Sequence, residues 1–148
     1  MDERFTTHAP PRIARRSARR FVVPDRLCDL LAQLFEVPRE TIARIHVIEH
    51  SRFARLHGRH VAATTRRNAI HLSGSGDAFV GDVEFVLHEY FHVVRQWNSG
   101  TLTIWRYLRE SARRGYAANR YEVEARAFAN EHCYRLMVTD NSDLVSQA

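Results

Sequence analysis

The sequence predicts an α+β fold in which a small antiparallel β-sheet packs on a helix carrying two histidines, with two more helices after it. Three observations carry that reading. A helix-period apolar run occupies residues 25–35, short runs rich in branched residues fall between 41 and 72, and helix-period segments fill the chain from Asp82 onward. Strands grouped ahead of helices, without alternation, distinguish this order from a parallel α/β sheet.

With 148 residues, 45% hydrophobic and 26% charged, the chain has material for one core. The expected division is a disordered Arg-rich tail over residues 1–21, a single domain over 22–140 and a flexible tail over 141–148. Arg4, Arg12, Arg15, Arg16, Arg19 and Arg20 stand near Pro10 and Pro11 with almost no apolar periodicity, the composition of a solvated tail. The formal charge is +5, but all 22 basic residues are arginine, a one-sidedness that fits coding bias better than a nucleic-acid surface. No apolar run approaches the roughly 20 residues that span a bilayer, and the apolar stretch of a secretory signal is missing. The expectation is a cytoplasmic protein, or one exported by a non-classical route, without membrane insertion. Cys28 and Cys133 lie far apart without metal-type spacing and read as free thiols in a reducing compartment.

Pro24 and Asp25 open the first helix, whose Leu27, Leu30, Leu31, Leu34 and Phe35 share one face; Pro38 marks its end. From Thr41, "IARIHVIEH" reads as a strand, and the polar stretch from Ser51 to Arg59 as a loop. "VAATT" and "AIHL" flank Arg66, Arg67 and Asn68 as a hairpin. "AIHL", Ala69 to Leu72, is also a candidate edge strand for an extended peptide. "SGSGDAFVGD" is expected to be a loop. The next helix starts at Gly81 or Asp82 and ends at Asn98, Ser99 and Gly100, with Arg95, Gln96 and Trp97 settling its last turn. A second helix, Leu102 to Arg114, is closed by Gly115. A third begins near Asn119 and carries Tyr121, Ala125, Phe128 and Leu136 on one side.

Within the histidine-bearing helix, "FVLHEYFHVVRQW" places His88 and His92 four residues apart, so both imidazoles leave one face and can share one ion. Zinc suits two imidazoles and a carboxylate, with a fourth position left for water. Glu89 has the place of the HExxH glutamate, which takes a proton from that water rather than binding metal. The third ligand can be sought in the later text. A metzincin continuation needs glycine and histidine where Arg95 and Asn98 stand, and an aspzincin-like GTxxD meets Ile104. A gluzincin continuation needs a glutamate on a later helix, and "NRYEVEARAFA" supplies Glu122, with Glu124 close by. Asn119 and Glu122 also have the spacing of a capping box, so Glu122 as ligand, Glu122 as cap and Glu124 as ligand all remain open.

These segments resemble the gluzincin metallopeptidases. More closely, "LHEYFHVVRQW" followed by "GYAANRYEVEARAFA" resembles the small peptidase-like domain called the extracellular contractile injection system core domain, with H-E-x-x-H-V-x-Q-type text and then N-P-x-E-x-E-A. The likeness runs from about Ala69 to Ala129. It implies a zincin-like active-site helix, Zn2+ held by His88, His92 and Glu122, Glu89 as general base, a peptide or protein substrate, and a secretion-system or toxin partner. Arg120 replaces the family's proline. Arg126 stands where many gluzincins keep an aspartate that orients a ligand histidine, and an arginine cannot accept that hydrogen bond. Support for the histidine must then come from elsewhere, or the domain binds metal for docking without turnover. Tyr116 is the first candidate for stabilising a developing oxyanion, with Tyr107 and Tyr121 behind it.

Overall fold

The computed structural model describes residues 17–56 and 61–145, and its elements run in the order β1 (Arg19–Phe21), α1 (Asp25–Phe35), α2 (Arg39–Ala43), β2 (His46–Glu49), α3 (Arg52–Leu56), β3 (Ala63–Arg66), β4 (Ala69–Leu72), α4 (Gly76–Val80), α5 (Val83–Phe91), a π-helical continuation over His92–Trp97, α6 (Ile104–Arg114) and α7 (Arg120–Val145). This is an α+β fold, as the grouping of strands before helices predicts. Among the described residues no helix is long and apolar enough to cross a membrane.

Helix α1 buries Cys28, Leu31, Ala32 and Phe35, close to the predicted apolar face. It stops where Glu36 turns left-handed (φ 52°) and the Val37 N–H reaches back to the Ala32 carbonyl at 3.0 Å. The Arg95 guanidinium donates to the Phe35 carbonyl at 2.8 Å, which fastens this end to the histidine-bearing helix.

The sheet corrects one expectation. Its order is β1-β2-β4-β3, with β1/β2 and β3/β4 antiparallel but β2/β4 parallel, so it is mixed rather than antiparallel. The hairpin β3–β4 forms as expected, yet β4 pairs on both sides and the outer strand is β3. "AIHL" is thus an interior strand, not an edge. Period-two patterning identifies a strand but carries no information on partner or direction. Three other differences share one cause, that five residues are too few for a helical period to show. Thr41 and Ile42 belong to α2, the stretch after Ser51 contains α3, and "SGSGDAFVGD" contains α4, capped by the Ser75 hydroxyl, which accepts from the Ala78 N–H at 3.3 Å.

Arg19, Arg20 and Phe21, expected in the tail, form β1 on the edge of β2; residues 1–16 of that tail lie outside the described residues. Side-chain bonding holds this strand in place. Glu49 is 1% exposed, and its carboxylate accepts from the Gly76 N–H at 2.7 Å and from the Arg19 guanidinium. Phe21 lies so close to Gly76 that a Cβ there would sit 2.0 Å from its ring, which leaves glycine as the fitting residue. At the other end, α7 continues to Val145, through most of the expected flexible tail; residues 146–148 lie outside the described residues.

The core lies between the sheet, α1 and the α5–α7 pair, with Leu31, Phe35, Val47, Ile70, Leu87 and Val93 buried in it. Phe128 of α7 stacks on Phe35 at 4.9 Å and tilts against Phe91 at 5.0 Å. α5 and α7 are thereby pressed together along the face that bears the histidines.

The Gly76 N–H, then Arg19, hold the Glu49 carboxyl below its ordinary value of 4.5 against the upward push of burial. A carboxyl lowered by folding stabilises the fold fully above its unfolded pKa and loses that contribution as the pH falls through the folded one. Thermal unfolding of Glu49→Gln is therefore expected several degrees below wild type at neutral pH, with the gap closing as the pH falls below 4.5.

Candidate metal centre

Asp82 caps α5 by accepting from the Phe85 N–H at 3.0 Å, as an acidic residue at the positive end of a helix should. Val86, Leu87 and Tyr90 face the core, and His88, Glu89 and His92 fall on the side turned toward α7. The helix then widens over His92–Trp97, with the Asn98 N–H bonded to the Val93 carbonyl five residues back at 2.9 Å. Such π segments are uncommon and concentrate at functional sites.

Across the interface, α7 brings Glu122 to the two imidazoles. His88 Nε2 and His92 Nε2 are 3.1 Å apart, and Glu122 Oε2 lies 3.2 Å from the first and 3.5 Å from the second. Three donors bound tetrahedrally at about 2.0–2.1 Å from one small divalent cation would stand about 3.3 Å from each other. The observed triangle has that size. Glu122 Oε2 is buried without a hydrogen-bond partner among the described residues. A buried carboxylate oxygen left in that state is costly, and a cation capping the triangle would satisfy it. His88, His92 and Glu122 therefore form a group able to hold a metal ion.

Of the three alternatives, the geometry brings Glu122 rather than Glu124 to the imidazoles. Its other oxygen, Oε1, accepts from the Tyr107 hydroxyl at 2.8 Å. The capping role at this end of α7 belongs to Asn119, whose Oδ1 accepts from the Tyr121 N–H at 3.0 Å. Glu124 points elsewhere and accepts from Gln96 Nε2 at 3.1 Å.

Gln96 is the residue that sequence reasoning missed. Its Nε2 donates to the Tyr121 carbonyl as well as to Glu124, both at 3.1 Å, which fixes which end of the carboxamide is oxygen. That oxygen is 2.7 Å from His92 Nδ1. A carboxamide oxygen only accepts, so the proton sits on Nδ1 and the Nε2 lone pair is left for a metal. Gln96 does for His92 what Arg126 cannot; Arg126 instead donates to the Ala117 carbonyl at 2.5 Å. The four-residue spacing of His92 and Gln96 was a readable signal, masked by the expectation that the helix was ending there.

Charge is balanced within the cluster. Burial raises the Glu122 carboxyl, but the His88 and His92 imidazoles and then the Tyr107 hydroxyl outweigh it, and the group lies far below the usual carboxylate range. Burial pulls the His92 imidazolium down, while Glu122 and Glu89 more than reverse this and leave it raised. Glu89 is buried, and that burial raises its carboxyl, with His92 and His88 partly offsetting the rise. Tyr116, 63% exposed, also reaches the carboxylates; partial burial and then Glu122 push its phenol up to about 12. Tyr107 is raised by the same two causes. Tyr121 is turned away, accepting from Arg120 and donating to the Thr101 carbonyl.

Comparison of the chain with protein-family models, curated proteins and solved structures returned no match.

One divalent ion per chain is expected by elemental analysis of wild type and none in His88→Ala, His92→Ala or Glu122→Ala. Gln96→Ala is expected to keep the fold and lose about 10–100-fold in metal affinity. Because His92 holds its proton more tightly than an ordinary imidazole, metal binding should release protons and weaken as the pH falls, measurable by calorimetry.

Proposed function

We propose that this chain is a zinc-dependent peptide hydrolase of the gluzincin type. The observation that supports it most is the triangle of His88, His92 and Glu122 with the buried Glu89 next to His88 in the chain. Two imidazoles and one carboxylate are the donor set of a catalytic rather than a structural zinc site, since a fourth position stays open. Zinc bound there would polarise a peptide carbonyl and acidify a water.

The chain's own groups do the rest. Glu89, raised by burial, takes the proton from the attacking water as the C–O bond forms, and delivers it to the amine nitrogen as the C–N bond breaks. Tyr107 holds Glu122 through Oε1 and so keeps Oε2 aimed at the imidazoles. Tyr116, exposed at the start of the connection to α7, is the freer hydroxyl and would donate to the carbonyl oxygen as negative charge builds on it. Edge strand β3, in place of interior β4, would offer backbone pairing to an extended substrate. Support of His92 by Gln96 favours turnover over a docking domain that binds metal without it. A secretion-system or toxin partner rests on the sequence resemblance alone.

Zinc-loaded wild type is expected to cleave members of a peptide library, read by mass spectrometry. Glu89→Gln should bind zinc equally well and lose about 10²–10⁴-fold in kcat/KM. Undiminished cleavage by Glu89→Gln, or none by zinc-loaded wild type, would overturn the proposal.

A further inference from the structure

At the start of α6, the helix whose Tyr107 hydroxyl reaches Glu122, lies an open groove of roughly 490 Å³ lined by Arg66, Arg67, Trp97, Leu102, Ile104 and Trp105 among others. It is a groove open to solvent along one side rather than an enclosed hollow. No acidic side chain lines it. Arg66 is half-buried, with its guanidinium 5.0 Å from the Phe53 ring centre and 5.3 Å from that of Trp97. Its hydrogen bond runs to the Thr65 carbonyl at 2.9 Å. Among the described residues neither Arg66 nor Arg67 meets a carboxylate. Burial lowers the Arg66 guanidinium, and no acidic neighbour offsets it.

The walls are fixed. The Trp97 indole donates to Thr65 Oγ1 at 3.1 Å, and Asn68 and Asn98 bond each other reciprocally at 2.8 and 3.1 Å, tying the β3–β4 turn to the end of the π segment. One side of α6 is apolar and uncovered, with Ile104 49%, Leu108 52% and Trp105 82% exposed. Ile104 stands three residues, about 4.5 Å along the helix axis, before Tyr107, whose hydroxyl touches Glu122. An extended peptide rises about 3.3 Å per residue, so a side chain a few residues from a bond held at Glu122 reaches the cavity.

Resting on the hydrolase reading, we propose that this cavity is the specificity pocket of the site, and that it takes an acidic side chain of an extended peptide substrate. Arg66 and Arg67 supply the charge that the carboxylate needs, and the two tryptophans and Leu102 cover the methylene stem. A carboxylate entering here meets a guanidinium already partly stripped of water, so the pairing is stronger than at an open surface.

The chain has two tryptophans, and both line the cavity, so intrinsic fluorescence reads its occupancy directly. Full-length Glu89→Gln is titrated, with and without zinc, with an acetylated and amidated alanine-rich octapeptide bearing one central glutamate, and with the same peptide bearing glutamine. The glutamate peptide is expected to change the emission saturably and to bind at least tenfold tighter than the glutamine peptide. Arg66→Gln should abolish that preference. Since Arg66 also packs between two rings, Arg67→Gln and Ile104→Glu, both at the surface, are tested beside it and should each weaken the glutamate peptide severalfold with unchanged circular dichroism. Equal affinity for the two peptides, no saturable change, or a tighter response to oligothymidylate would overturn the pocket. Selective binding without cleavage by wild type would instead overturn only the hydrolase reading, and cleavage with no preference for glutamate would overturn only the pocket.

Discussion

A carboxylate oxygen buried against two imidazoles, with nothing to neutralise it but what those rings can supply, is the constraint around which this fold is arranged. Glu122 Oε2 faces His88 and His92 from the first turn of α7 and has no hydrogen-bond partner of its own among the described residues. An isolated ion in such a place is unfavourable by several kcal/mol, on the order of what a whole domain's net stability amounts to. The arrangement is tolerable when a positive charge is shared among the three groups, whether protons on the rings or a cation. Everything near the triangle serves that balance: Tyr107 takes the other carboxylate oxygen, Gln96 fixes the His92 tautomer, and the Phe35–Phe128–Phe91 stack clamps α7 on α5 so that the donors cannot drift apart.

Much of this was legible in the residues because it is local. The four-residue step from His88 to His92, the apolar neighbours around them, the Asp82 cap and the helical face of α1 follow from helix geometry alone, and the structure has them in place. Glu122 could be nominated but not chosen over Glu124, since choosing requires knowing which side of α7 meets α5. What escaped is what depends on contacts distant in sequence. The parallel pairing of β2 with β4 and the interior position of "AIHL" depend on how β3 loops outward. β1 was hidden because Arg19, Arg20 and Phe21 show no apolar alternation; the strand exists because Glu49 and Gly76 wait for it. The π segment has no local signature either.

Helix α6 links the chemistry to the surface. It has no fully buried residue, yet one side of it holds Glu122 through Tyr107 while another leaves Ile104, Trp105 and Leu108 open. A helix so lightly anchored keeps its place through its ends: the Thr103 hydroxyl accepts from the Arg106 N–H, and Ser111 and the Tyr107 carbonyl both accept from the Asn119 side chain. Strain on that exposed ridge is therefore felt at the carboxylate one turn away.

The widened turn after His92 sets the angular phase of everything that follows it. In a regular α-helix each residue advances about 100° around the axis, so a chain shorter by one residue between His92 and Gln96 would rotate the downstream side chains by about that much. Gln96 would leave the imidazole it steadies, and Trp97 would swing off Thr65 in the same motion. The stretch from His92 to Trp97 thus holds in one register the ring that offers its lone pair and the indole that walls the neighbouring groove.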